Sequence, residues 1–280
     1  MSGQEKLEKI IGKINRLPSL PDNIQKINQM IDSHHSTMDA IGRAIADDQT
    51  LSAQVLKLVN SGFYGLSSTV SSVTQAVVFL GLNVVRSLIS TAWASSMIAK
   101  SFPGLYEHSL ACSRTCYLLS KKLGIDEPEE VSTIGLLHDI GKVVLAEYLP
   151  EEFTAIQSLL KNKRIRFCDA ERTVMGVAHS DVGRLLLQKW NLPQAAIDPI
   201  AEHHGFQPSS PHARQTAVLI LADVIVRAEG FGWGGDNVMP ELSSEVTGTL
   251  KLQPKDLRPL MDEIVDKMHD IQRYNGGNKA

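Results

Sequence analysis

Ile134-Gly135-Leu136-Leu137-His138-Asp139-Ile140-Gly141-Lys142 sets an imidazole and a carboxylate side by side in an apolar run. Burying either group is costly unless it is hydrogen-bonded, paired or metal-bound. The apolar residues around the pair do not alternate with polar ones. No period-two pattern survives for more than a few residues elsewhere in the chain, so the run and its surroundings read as helix. Working outward, His108 lies upstream; His179, the pair His203-His204 and Asp223 follow downstream. Asp223 interrupts Leu219-Ile220-Leu221-Ala222 and Val224-Ile225-Val226, where an unpaired carboxylate would be expensive. Imidazole nitrogens with carboxylate oxygens suit divalent ions such as Fe, Mn, Zn, Ni or Co. These seven groups could hold two ions that share one carboxylate. The competing reading is a metal-free buried hydrogen-bond network.

Helical signals fill the rest of the chain. Leu7, Ile10, Ile11, Ile14 and Leu17 form an amphipathic stripe over Glu5 to Leu17. Further helices are expected over Asn23 to Ser33, capped by Asp22, and from Thr37-Met38-Asp39 toward Ala46. Others are expected over Leu51 to Asn60, opened by Asp48 or Thr50, over Val73 to Leu80, capped by Ser71 or Ser72, and over Asn83 to Lys100. Ser61 to Gly65 reads as a loop. Phe102-Pro103-Gly104 is the best internal boundary. Beyond it the pattern predicts helices over Tyr106 to Leu123, Pro128 to Tyr148 with a kink near Gly141, and Pro150 to Lys163. Asp169 to Gly176 and Ser180 to Trp190 flank His179, and a helix from Pro193 approaches His203-His204. Ala213 to Gly230 and Pro254 to Tyr274 complete the set, with a glycine-rich loop over Gly230 to Gly235. The expected fold is all-α. An N-terminal helical part (1–100) packs on a metal-binding helical bundle (101–235), followed by a C-terminal helix and tail (236–280).

Composition excludes several classes. A hydrophobic fraction of 43% and a charged fraction of 21% describe an ordinary globular protein. A net charge of −3 provides no broad footprint for DNA, and Leu51 to Asn60 carries only Lys57 as a cation. The stretch Ala76 to Ala99 is broken by Asn83, Arg86 and several serines, so it does not read as a membrane span. Met1 to Lys13 has no apolar run resembling a signal peptide, and three cysteines fit free thiols in a cytoplasmic protein. His108, Cys112 and Cys116 share a helix face, which could be read as a thiolate zinc site, but no fourth ligand is nearby in sequence and the two cysteines read as small core residues.

The order His108, His138-Asp139, His179, His203-His204, Asp223 resembles the HD superfamily of metal-dependent phosphohydrolases. Within it, His138-Asp139-Ile140-Gly141-Lys142 and His203-His204 resemble the cyclic-di-GMP-degrading HD-GYP branch. Leu17-Pro18-Ser19-Leu20-Pro21, Asp48-Gln49-Thr50-Leu51-Ser52, Leu58-Val59-Asn60-Ser61 and Gln75 to Gly81 are similar instead to the HDOD domain, a bacterial signal-transduction relative of those hydrolases. The resemblance covers about residues 10 to 230. It implies two ions of Fe, Mn, Zn or Ni. His108, His138, Asp139 and Asp223 would hold one; His179, His203 and His204 would hold the other, with Asp139 bridging. Lys142 would reach a substrate phosphate. Two departures stand out. Gly205-Phe206-Gln207-Pro208 replaces a Gly-Tyr-Pro motif, and Gly104 removes an acidic position four residues before His108. The expectation is a regulatory HDOD module contacting other signalling proteins, with a nucleotide or cyclic dinucleotide as the ligand of the alternative, a phosphohydrolase.

Overall fold

Side-chain caps start three of the four N-terminal helices among the described residues. In the computed structural model, which describes residues 20–33, 36–60, 70–82, 85, 86, 89, 102–236 and 238–276, the four are α1 (Asp22–Asp32), α2 (Met38–Ala46), α3 (Gln49–Val59) and α4 (Val73–Leu80). The Thr37 hydroxyl accepts from Ala40 N at 3.1 Å, Asp48 Oδ1 from Leu51 N at 3.0 Å and Ser72 Oγ from Gln75 N at 3.2 Å. Each satisfies an N–H that the first helical turn leaves unpaired. Asp22, expected as a cap, lies in the first turn instead; Pro21 takes the cap position without a side-chain bond. The expected helix Glu5 to Leu17, the loop Ser61 to Gly65 and most of Asn83 to Lys100 lie outside the described residues.

Ten further helices follow: α5 (Leu105–Leu123), α6 (Pro128–Leu137), α7 (Ile140–Tyr148), α8 (Pro150–Asn162), α9 (Phe167–Met175), α10 (His179–Lys189), α11 (Gln194–Glu202), α12 (Ala213–Ala228), α13 (Ser244–Thr249) and α14 (Pro254–Gly276). Every regular element among the described residues is helical, as expected. Helix α6 lies along α5, where Ser113 Oγ donates to Ser132 O at 2.6 Å. Buried apolar side chains run as one contiguous cluster from Leu20 through Ile41, Leu137 and Leu219 to Met268. Arg86 joins the two parts: it pairs with Asp32 on α1 and donates to Asn191 O just after α10.

Three details differ from the expected elements. The helix expected over Pro128 to Tyr148 is two helices, and the break falls at His138-Asp139, not at Gly141. Asp139 adopts φ −98°, ψ 9°, the sparsely populated bridge region between helix and strand. Helix α10 begins at His179, one residue before the expected start, so His179 is its first residue. Helix α13 carries too few apolar residues to announce itself, and only Val246 of it is buried.

Gly141 serves a close approach. A Cβ built there would lie 2.0 Å from the carbonyl oxygen of His179 and 3.0 Å from Gly183 N. The glycine lets α7 cross α10 nearly backbone to backbone, which brings His138-Asp139 against His179.

Candidate metal centre

The seven residues singled out in the sequence converge. His108 comes from α5, His138 and Asp139 from the α6–α7 break, and His179 from the start of α10. His203 and His204 follow the end of α11, and Asp223 lies on α12. His108, His138, Asp139 and His179 are 1% exposed or less. Ligating atoms of His108, Cys112, His138 and Asp223 lie within 4.8 Å of one another, as do those of His179, His203 and His204. His108 Nε2 is 3.1 Å from Asp223 Oδ1. Around His179 Nε2, His203 Nε2 stands at 3.3 Å and His204 Nε2 at 3.0 Å. Asp139 lies between the groups: Oδ1 is 3.1 Å from His179 Nε2, and Oδ2 is 3.3 Å from His138 Nε2 and 3.8 Å from His108 Nε2.

The hydrogen bonds fix which nitrogen of three imidazoles faces inward. His138 Nδ1 meets Gly135 O at 2.8 Å, His203 Nδ1 meets Ile200 O at 2.7 Å, and His179 Nδ1 meets Glu171 Oε2 at 2.7 Å. A carbonyl or carboxylate only accepts, so each Nδ1 donates and each Nε2 can present its lone pair to the cluster. This outer support is what a metal-ligating histidine ordinarily has. His138 Nε2 and Asp139 Oδ1 are buried without a hydrogen-bond partner. Inward lone pairs, a carboxylate between the two groups and two orphaned polar atoms fit divalent-metal binding.

Electrostatics follow from burial and these neighbours. Burial holds His203 and His204 well below the ordinary imidazole value, with nearby imidazoles adding to the effect, and it lowers His108 as well. Burial would also depress His179, but the Glu171 carboxylate beside it outweighs this and raises it. For Asp139 burial pushes up, yet His138 and Lys142 hold the carboxyl well below its usual range. Burial is likewise overcome at Asp223, chiefly by Arg227.

Lys142 is fully buried. Its ammonium donates to Asp139 Oδ2 and to Gly234 O, each at 2.7 Å, and sits 5.1 Å from the Phe167 ring centroid. The expected loop Gly230 to Gly235 lies over the cluster. A Cβ on Gly234 would come within 3.0 Å of His108 Nε2 and 3.5 Å of Asp139 Oδ2, so backbone fits where a side chain would not. Trp233 N donates to Gly104 O at 2.9 Å, and its ring stacks on Phe102 at 5.4 Å. Gly104, where the sequence lacks an acid, is thus the anchor of this strap. Arg227 ties both ends of the arrangement, donating to Asp223 Oδ1 at 2.8 Å and Asp236 Oδ2 at 2.7 Å. Beside the strap a cavity of about 260 Å³ is lined by His108, Arg227, Gly232, Gly234 and Met239, among others.

Sequence reasoning missed Glu171, Arg227, Asp236 and Gly234 as neighbours of the site. The sequence carries a signal for Glu171: with Phe167, Ala170 and Met175 it shares the buried stripe of α9, where an acid is out of place. Arg227, one turn after Asp223, could have been proposed as its partner. The basic run Asn162 to Arg166 is a solvated helix end, with Arg166 Nε 2.8 Å from Asp169 Oδ2.

The family model of the HDOD domain matches residues 17–206. The chain belongs to the HDOD family. A solved HDOD domain protein of unknown function from Geobacter sulfurreducens superposes on this HDOD chain with a TM-score of 0.75 at 24% identity. That match covers 96% of this chain and 95% of the other and shows a shared fold. An uncharacterized protein of Treponema pallidum is 28% identical over 219 residues, 77% of this chain and 42% of that one. A Vibrio cholerae protein named cyclic di-GMP phosphodiesterase CdgJ is 35% identical over 80 residues, 29% of this chain and 18% of that protein. The HDOD chain thus spans less than half the length of these curated relatives. Among its described residues no helix is long and apolar enough to cross a membrane.

Proposed function

We propose that this chain is an HDOD signalling module that acts through contacts with other proteins. It holds two divalent metal ions, one at His108, His138, Asp139 and Asp223 and one at His179, His203 and His204, with Asp139 facing both. An ion bound at the His179 group would act there as a Lewis acid toward an anionic ligand. The chain's own residues argue against rapid phosphodiester hydrolysis. The observation that carries the reading is the double engagement of Lys142 by Asp139 and by Gly234 O beneath the strap. The cation that a hydrolase would direct at phosphate is spent on internal contacts. The cavity beside the strap, about 260 Å³, falls under the ~300–1,000 Å³ of ordinary small-molecule sites. Without a binding surface that aligns the substrate, most of the ~7–11 kcal/mol available from positioning is lost.

Two measurements on the full chain test this. Protein expressed with ample metal and purified without chelator should carry up to two transition-metal ions, most of them lost in Asp139→Ala. A content below about a tenth of an ion per chain would refute the metal reading. Turnover of cyclic di-GMP with Mn or Fe supplied should be weak or absent. Robust turnover that His203→Ala abolishes would make the chain a phosphohydrolase, the reading that the assembled donor set favours.

A further inference from the structure

Cys112 stands one turn after His108 on α5, fully buried, and its sulfur faces the same space as the His108, His138 and Asp223 donors. Its Sγ lies 3.6 Å from His108 Nε2 and 4.0 Å from Asp223 Oδ1, while those two atoms are 3.1 Å apart. With metal–sulfur and metal–nitrogen bonds of ~2.3 and ~2.0–2.1 Å, a tetrahedral ion has sulfur–nitrogen edges of ~3.6 Å and nitrogen–oxygen edges of ~3.4 Å. The sulfur–nitrogen edge of the observed triangle matches, and the other two, 4.0 Å to Asp223 Oδ1 and 3.1 Å between His108 and Asp223, come within about 0.4 Å of the tetrahedral values. His138 Nε2, buried and without a partner, is aimed into the same space.

We infer that Cys112 is a sulfur ligand of the ion in the His108 group, giving that ion a soft donor that the companion group lacks. The inference rests on the metal-loaded reading above and deepens it. On coordination the Sγ–H bond is exchanged for a metal–sulfur bond, and the proton leaves to water. Two consequences follow. A thiolate selects Zn, Fe or Co over Mn or Mg at this position. With His108, Cys112, His138 and Asp223 as its four donors, a tetrahedral ion has no open position for water, so it is a closed, structural ion in the sense that separates structural from catalytic zinc sites. The His179 group has no such sulfur and remains the more open of the two.

The test uses the full chain stripped with chelator and reloaded with Co(II) or Zn(II), with metal content measured in every sample. Expected are a near-ultraviolet sulfur-to-cobalt charge-transfer absorption and, in zinc X-ray absorption, one sulfur shell at ~2.3 Å per chain. Both should vanish in Cys112→Ser and in Cys112→Ala, and both should persist in Cys116→Ser and in His203→Ala. If Cys112→Ser does not fold, Cys112→Ala and the wild-type absorption spectrum still decide. Bound metal with no sulfur signature, or a signature that survives loss of the Cys112 sulfur, would overturn the inference and leave the metal reading standing. Absence of bound metal would overturn both.

Discussion

Replacing Gly141 with alanine adds one methyl group where the structure has no room. The new Cβ would sit 2.0 Å from the His179 carbonyl oxygen and 2.8 Å from its carbon, both backbone atoms of α10. A carbon–oxygen contact relaxes to about 3.3 Å, so α7 and α10 must part by roughly 1.3 Å or tilt to the same effect. Overpacking of this kind costs ~1–3 kcal/mol, and no side-chain rotation can relieve a clash with backbone. The gain in helix propensity on replacing glycine returns at most ~1 kcal/mol. A net loss of ~1–2 kcal/mol is expected, with a fall in Tm of several degrees. The larger effect should be on the centre. His179 shares the displaced residue, and a metal site tolerates ligand shifts of only ~0.2 Å. The His179, His203, His204 group should therefore lose its ion while the His108 group keeps one. Urea unfolding of chelator-treated protein gives the first quantity, and metal titration the second. Gly248→Ala on α13, where a Cβ meets nothing within 4 Å, is the control. If Gly141→Ala unfolds within ~0.5 kcal/mol of wild type and binds as many ions, the reasoning about the helix crossing is wrong.

Glu171→Gln keeps the shape of the residue that orients His179 but removes its charge; metal affinity of the His179 group should fall ~10–100-fold in a competition titration, and an unchanged affinity would deny Glu171 that role. Acidification should destabilise the metal-free protein. The folded values of His108 and His203 are lowered, so below about pH 6.5 the unfolded chain binds protons that the folded chain refuses, and stability present above that pH is lost as pH falls. The slope is ~1.4 kcal/mol per pH unit for each such proton; urea midpoints that do not move between pH 7.5 and 5.5 would contradict this. A fragment ending at Lys100 should fail to fold on its own, because Val77, Val85 and Ile89 are buried within the contiguous core; a monomeric fragment with a cooperative melting transition would show otherwise.

The donor set was legible because buried charge is expensive: His138-Asp139 and Asp223 each break an apolar run, and the structure brings them together with His108, His179 and His203-His204. Helix starts were legible where a capping side chain precedes an apolar run, as at Thr37, Asp48 and Ser72, but not at Ser243, whose cap opens the apolar-poor α13. Other features depend on what the fold places beside a residue, which spacing along one helix does not carry. Val78 stands beside the buried Val77 in an apolar run, yet it is 62% exposed. The kink assigned to Gly141 is a clean break two residues earlier, because the glycine is needed for the crossing with α10 and not for the bend. Cys112 looked like a core filler, since its nearness to Asp223 arises only when α12 packs on α5. Lys142 looked free for a phosphate because the strap that occupies it arrives 92 residues later in the chain.

That distance bears on how the centre comes into being. Its donors run from His108 to Asp223, and the strap that covers them closes only at Asp236. The His179 group sits on the neighbouring pair α10 and α11, but the His108 group draws on α5, the α6–α7 break and α12, so no early local element would capture its ion and keep it. The His108 side of the pocket must be among the last parts to form, after slow, long-range closure of α12 onto α5. Departure of an ion from the His108 group would be bound to the same event in reverse, because His108 and Asp139 are sealed beneath Gly234. Exchange with free metal should then keep pace with the opening of α12 and the strap, and amide hydrogens in those segments should report the same rate.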